Sequence, residues 1–232
     1  MEANTTTDKI LRKEKQRKIT GQIQLLSGMR IGGSDTLLEI GGVDAGQTCI
    51  KHPVTYKPYI PGSSLKGKMR SEMEKKLGRF RRFTRDGKEV YEPCDCAQCM
   101  VCRAFGPHKV VEHNLGPTRL LVRDCPVIKG GEFEIKSSTA INRKTNAALG
   151  GSLRTEERVV EGSEFDFRLD LQIWSNDGEC RYGDWRGEQA LIEFVKDCLR
   201  LVEQTGIGAG TSKGSGQIRF INLNLDGEDF DL

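Results

Sequence analysis

Glu164-Phe165-Asp166-Phe167-Arg168-Leu169-Asp170-Leu171-Gln172-Ile173 alternates polar and apolar side chains without a break. Successive side chains of a β-strand point to opposite faces, so this stretch encodes a strand with one dry face and one wet face. Downstream, Leu191, Phe194, Val195, Cys198, Leu199 and Val202 recur at helical spacing and predict a helix over about 187–204. A glycine-rich run, 206–216, follows, and then a last strand over 217–225. Upstream, Leu120, Leu121 and Val122 read as a short strand. Before it, Leu65, Met69, Met73 and Leu77 stack at i, i+4 on a helix that Ser63 or Ser64 is placed to cap. Ile19, Gly21, Ile23 and Leu25 alternate with polar residues as a first strand. The order is β-α-β-β-α-β, an α+β, ferredoxin-like pattern. Three links carry long insertions, at 28–62, 78–116 and 125–162. Loops that long in a compact domain usually serve function. The last of them reads as a protruding hairpin. Residues 1–17 show no apolar period and read as a flexible basic arm or a frayed helix.

The chain has 232 residues, long enough to bury a core. Its formal charge of +3 is a composite. The tail 226–232 holds Asp226, Glu228, Asp229 and Asp231; without those four negative charges the remainder carries +7. Bases cluster in 9–18 and again at Arg79, Arg81, Arg82, Arg85 and Lys88. Such blocks are most often solvated surface and less often meet a polyanion. No apolar run reaches the roughly 20 residues of a membrane helix, and the start lacks the apolar core of a signal peptide. The reading is therefore a cytoplasmic protein with no membrane and no disulfides. Aromatic residues are 6% of the chain, which argues against binding by many stacked bases.

Cys94, Cys96, Cys99 and Cys102 fall inside nine residues. As thiolates they suit a tetrahedral Zn2+ ion that would staple an insertion poor in apolar residues. Redox cysteines or an iron–sulfur cluster are the competing explanations, and His108 or His113 is able to replace one sulfur. Cys49, Cys125, Cys180 and Cys198 are scattered and read as ordinary small residues.

Three further stretches carry possible chemistry. Pro61-Gly62-Ser63-Ser64-Leu65-Lys66-Gly67-Lys68-Met69-Arg70 runs a loop into a helix. Free N–H groups and nearby cations there make either a phosphate site or a plainly capped helix. The run 206–216 brings glycines beside Thr211, Ser212 and Lys213, where successive N–H groups are able to cradle phosphate. The loop over 32–44 offers Asp35, Glu39 and Asp44, either as turn-formers or as ligands for Mg2+ or a general base.

Together these residues resemble the RAMP superfamily of CRISPR proteins, and within it the repeated backbone subunit of type III effector complexes, the Csm family. Ile31-Gly32-Gly33-Ser34-Asp35 and the Pro58–Arg70 stretch carry the resemblance. So do Cys102-Arg103-Ala104-Phe105-Gly106, the Arg119–Asp124 strand, and Ile141-Asn142-Arg143-Lys144-Thr145-Asn146-Ala147 with Glu156-Glu157-Arg158-Val159. The match spans about 18–225, the single RAMP domain. Arg30 and Asn142 depart from the commoner His and Asp. The hairpin resembles type III-D and fused-chain backbones as much as III-A.

The resemblance implies a subunit whose copies stack along a CRISPR RNA (crRNA). Each 125–162 hairpin would act as a thumb that kinks the guide–target duplex. It implies guide-backbone contacts from Ser63, Ser64, Lys66, Lys68, Arg70, Arg143, Gly208, Gly210, Ser212 and Lys213. It maps a catalytic carboxylate for metal-dependent cleavage of target RNA to Asp44, and structural zinc to the four cysteines. Copies of the chain, paralogues and other type III subunits are the implied partners. A non-catalytic scaffold is the alternative. A crRNA-processing enzyme would need a His near the glycine run, and His52, His108 and His113 all lie far from it in sequence.

Overall fold

The computed structural model describes residues 10–32 and 48–232. The main elements are β1 (Lys13–Leu25), α1 (Gly62–Leu77), β2 (Arg81–Arg85), β3 (Lys88–Glu92), α2 (Met100–Phe105), β4 (Leu120–Val122) and β5 (Cys125–Lys129). They continue with β6 (Phe133–Ser138), β7 (Arg154–Val159), β8 (Glu164–Trp174), α3 (Gly187–Thr205) and β9 (Ile218–Leu225). One antiparallel sheet organises the molecule in the order β9-β1-β8-β5. Glu228–Asp229 extends one edge and Tyr59–Ile60 the other, and β4 also pairs with β8.

The alternation in β8 sets what the sheet buries. Phe165, Phe167, Leu169, Leu171 and Ile173 share one core with Ile19, Ile23 and Leu25 of β1 and Ile218 and Phe220 of β9. Leu65, Met69 and Met73 of α1 and the apolar stripe of α3 join the same core. The opposite face carries Gln16, Lys18, Thr20, Asp166, Arg168 and Asp170, which line an open groove of about 760 Å3.

Three expectations need correction. The first strand begins at Lys13, so the segment 13–17 is strand and neither loose arm nor helix; it pairs with the far end of β8, Arg17 against Leu171. The serines do not cap α1. Pro61 is the N-cap residue, and Ser63 and Ser64 lie inside the first turn. Within the 78–116 insertion, Val101, Ala104 and Phe105 of α2 join the main core, with Phe105 6.0 Å from the Phe194 ring. The expected hairpin begins only after β5, which belongs to the main sheet. It is built by β6 and β7, paired Phe133↔Val159 through Ser138↔Arg154, with a short tip ladder between Ile141–Asn142 and Ala147–Ala148.

The tail turns back as well. Phe230 is buried, so the acidic end is anchored to its own chain.

Arg119 is fully buried beside Asp177. Its Nε and one terminal nitrogen donate to the Asp177 carboxylate at 3.0 and 2.7 Å. Other donors reach Leu115 O at 2.7 Å, Asn176 Oδ1 at 2.8 Å, and Pro117 O. Arg103 donates to the same carboxylate at 2.7 Å, and the Trp174 N–H does so at 2.8 Å. This knot joins α2 and the strand entering β4 to the turn after β8. Removing one member of a buried pair leaves an uncompensated charge, at a cost of about 3–5 kcal/mol. Asp177→Ala is expected to lower stability by that order in urea denaturation. Arg123→Ala, which breaks the exposed Arg123–Asp170 pair, is expected to cost less than about 1 kcal/mol.

Candidate nucleic-acid interface and metal centre

The backbone at 28–32 is held by three separate parts of the chain. Met29 and Val159 of β7 exchange N–H···O bonds of 2.9 and 2.8 Å. The Ile50 N–H donates to Ile31 O at 2.8 Å, and Gly32 and Cys49 form a bridge. From the glycine run, Ala209 N–H donates to Arg30 O at 2.8 Å and Gly216 N–H to Gly28 O at 3.0 Å. Gly208 lies at φ +85° with its Cα against the Arg30 carbonyl, where a Cβ would collide; only glycine permits both the angle and the approach. Asp35 and Asp44 lie outside the described residues. Their described flanks, Gly32 and Cys49, meet at this junction.

Glu157 of β7 secures the second flank. Its buried carboxylate accepts the Cys49 N–H at 2.9 Å and the Lys51 ammonium at 2.8 Å. The Cys49 thiol bonds to Glu157 O at 3.2 Å. Burial, and then the neighbouring Glu157 charge, push that thiol up to about 12, so it stays neutral.

Beside the junction is a cleft of about 230 Å3 lined by Arg30, Lys136, Ser138, Arg154, Glu156, Gly210, Lys213 and Ser215. Four cations face one carboxylate there, and Arg30 Nε lies 3.5 Å from Glu156. Lys213 ends a 3-10 turn flanked by Gly210 and Gly214, both left-handed. An arrangement of cations, hydroxyls and closely approached backbone suits phosphate groups and does not read bases. Of the residues singled out in sequence, Gly210 and Lys213 line this cleft; Gly208 holds the junction, and Ser212 is exposed on the turn. Lys136, Ser138, Arg154 and Ser215 were missed. Three of them sit on the thumb strands β6 and β7, and their convergence depends on the register Arg154↔Ser138 and Glu156↔Lys136.

The other singled-out residues lie elsewhere. The Gly62 N–H at the start of α1 donates to Asp124 Oδ1 at 2.7 Å, so a carboxylate already meets that helix end. A Cβ on Gly62 would collide with the Val122 carbonyl. Lys66 donates to Leu120 O at 2.8 Å, and burial, with Arg70 second, lowers its pKa. Lys68 pairs with Glu72 at 2.9 Å. Arg70 pairs with Glu74 at 2.8 Å and donates to Cys94 O at 3.0 Å, while Glu74 accepts the Cys94 N–H at 2.9 Å. Arg70 and Glu74 thus grip the first cysteine between them. Arg143 is exposed near the thumb tip. None of these lines the cleft.

The sulfurs of Cys94, Cys96, Cys99 and Cys102 all lie within 4.8 Å of one another, and the group includes no histidine. Cys94–Cys99 and Cys96–Cys102 are 3.8 and 3.9 Å apart. A tetrahedron with metal–sulfur bonds of about 2.3 Å has edges of about 3.8 Å, so the four sulfurs fit a single metal ion. His113 Nδ1 instead accepts the Leu115 N–H at 3.3 Å. Burial pushes Cys94 up to about 11 and raises Cys102 also. At Cys96 burial works in the same direction, but backbone N–H groups and the neighbouring sulfurs outweigh it, and the thiol falls to about 7.

The chain belongs to the RAMP superfamily, whose family model matches residues 22–219. Two proteins named "CRISPR system Cms endoribonuclease Csm3" are among its relatives. The one from Methanocaldococcus jannaschii is 34% identical over 217 residues, covering 89% of this chain and 79% of the relative. The one from Methanothermobacter thermautotrophicus is 33% identical over 240 residues, covering 93% and 87%. A similar solved structure is a Csm3–Csm4 subcomplex of the type III-A CRISPR-Cas interference complex. It has a TM-score of 0.56 and 25% identity, and the match covers 92% of this chain and 80% of that one.

Glu157→Ala would strand the Lys51 ammonium and the buried Cys49 amide. The expected loss is about 1–3 kcal/mol in urea denaturation, with Glu157→Gln losing less because it still accepts a hydrogen bond.

Proposed function

We propose that this chain is a backbone subunit of a type III CRISPR ribonucleoprotein. It binds the crRNA along its phosphates, repeats along it, and cleaves complementary target RNA as a metal-dependent endoribonuclease. The observation that carries this reading is the four-cation cleft beside the junction where the flanks of the Asp44 loop meet. The names of the relatives, which are endoribonucleases, support it. The ferredoxin-like reading of the core is supported by the order β9-β1-β8-β4 with α1 and α3 in one core.

A guide of any sequence must be held, so the protein reads backbone and leaves specificity to base pairing. Arg30, Lys136, Arg154 and Lys213 neutralise guide phosphates, and the glycine loop approaches them closely. Of the α1 residues, Lys66 and Arg70 contribute by holding the main chain at Leu120 and Cys94, Lys68 by pairing with Glu72, and exposed Ser63 and half-buried Ser64 by touching RNA. Arg143 meets the duplex at the thumb. The thumb displaces one nucleotide so that a 2′-oxygen lines up with its own phosphate. The 2′-oxygen bonds to phosphorus, the P–O5′ bond breaks, and the products are a 2′,3′-cyclic phosphate and a 5′-hydroxyl. Asp44 takes the 2′ proton or holds the cation. A bound divalent cation such as Mg2+ would offset charge developing on the phosphate.

Zn2+ at the four cysteines is structural in this reading. The ligands bind as thiolates, so metal binding releases protons. Because binding releases protons, lower pH opposes it, and zinc release to a chelator is expected to be faster at pH 6 than at pH 8. Zinc loss should lower the melting temperature. Cobalt substitution should show thiolate-to-metal absorption that each Cys→Ser variant weakens.

The central experiment is a cleavage time course of complementary RNA by the assembled complex, wild type against Asp44→Ala. Cuts at regular intervals are expected to vanish while guide binding stays normal. Unchanged cutting would remove Asp44 from the chemistry, and no cutting by wild type would favour a scaffold. Lys213→Ala is expected to weaken guide binding and reduce the slope of log K against log salt by about 0.7.

A further inference from the structure

We propose that the groove between α1 and the β2–β3 hairpin is a stacking site for an unpaired base of a single-stranded nucleic acid, separate from the four-cation cleft. The groove, about 440 Å3, is walled by Gly67, Ser71 and Lys75 of α1 on one side and by Phe80, Tyr91 and Pro93 on the other; its two carboxylates are both paired, Glu74 with Arg70 and Glu92 with Lys109 and Arg85. That volume lies in the range of small-molecule pockets. Its aromatic residues are exposed, as are Tyr56 and Trp185 elsewhere on the chain. Phe80 is 43% and Tyr91 56% exposed, while Phe105, Phe165, Phe167, Phe194 and Phe220 are buried in the core. The two rings stand 5.8 Å apart, tilted by 58°, and belong to no core cluster.

The rim supplies the complementary charge. Arg79, Arg81, Arg82, Arg85 and Lys88 are all exposed on and beside this hairpin, and Lys75 is exposed at the end of α1. Arg81 pairs with Asp95, Arg82 with Glu89, Arg85 with Glu92 and Lys75 with Glu72. Among the described residues Arg79 and Lys88 form no ion pair. Aromatic faces with free cations around them are how proteins hold single strands without reading sequence: the rings take bases and the cations take phosphates. A second copy of this chain is a poorer occupant. It would have to bring an acidic segment, and the 226–232 tail is seated on its own chain through buried Phe230.

The site does not depend on the guide-binding reading, and the test separates the two. Fluorescent 12-nucleotide RNA and DNA homopolymers are titrated onto the full zinc-loaded chain, and iodouracil-bearing versions are photo-crosslinked to it. The variants are Phe80→Ala/Tyr91→Ala, Tyr91→Phe, Lys213→Ala and a combination of all three alanine changes. The double alanine variant is expected to lose roughly tenfold in affinity, the scale of one stacked base, and to lose crosslinking to the peptide containing Tyr91. Tyr91→Phe should retain both. The Tyr91 crosslink should persist in Lys213→Ala, whether or not the cleft binds guide. Equal loss for RNA and DNA would identify stacking on the base alone; loss for RNA only would add recognition of the ribose. Unchanged affinity in a double variant with wild-type melting temperature, or crosslinks confined to thumb and glycine-loop peptides, would overturn the proposal. So would a change in sedimentation alone, which would make the groove a contact between copies. If the double variant does not fold, Tyr91→Ala alone carries the same outcomes.

Discussion

Five residues of backbone, Gly28 to Gly32, hold the working parts of this protein together. Their amides and carbonyls are shared among β7 of the thumb, the 48–50 segment and the glycine run. None of these partners is near them in sequence. Backbone hydrogen bonds have strict distance and angle requirements, so the thumb root, the flanks of the Asp44 loop and the glycine loop are placed relative to one another by the main chain. Side chains then decide what the junction does. Glu157 fixes one flank, and Arg30, Lys136, Arg154 and Lys213 make the neighbouring surface basic.

The cysteine knuckle is built into the rest of the molecule from two sides. Arg70 and Glu74 clamp the backbone of Cys94 onto α1. Arg119, bonded to Leu115 O, ties the end of the same insertion to Asp177. A bound metal would therefore brace α1 and β4 as well as its own loop. The bases at the start of α1 gain a structural meaning from this: Lys66 and Arg70 hold neighbouring main chain, and Lys68 holds Glu72.

The framework was legible because its signals are periodic. The alternation in β8 and the apolar stripe of α3 each dictate their element and its buried face. The four cysteines were legible because no packing rule crowds thiols so closely. Other features depend on information that a linear reading lacks. The segment 13–17 has no apolar alternation, since both its faces are exposed, yet its backbone completes pairs with the far half of β8. The strand β5 is short, contains Pro126, and sits between β8 and the Tyr59–Ile60 edge. The cations of the cleft reside on two strands and two loops: the register of β6 against β7 brings Lys136 near Arg154, and the backbone junction at 28–32 brings Arg30 near the glycine run of Lys213. Asp177, the acid opposite buried Arg119, lies 58 residues further along the chain.

The account rests on the junction acting as one unit, and amide hydrogen exchange at Met29, Ile50, Val159, Ala209 and Gly216 tests that directly. The expected result is a single opening free energy for all five amides, with all of them slowed further when guide RNA is added. Fast, independent exchange at Ala209 and Gly216, with Met29 and Ile50 unaffected by RNA, would contradict it.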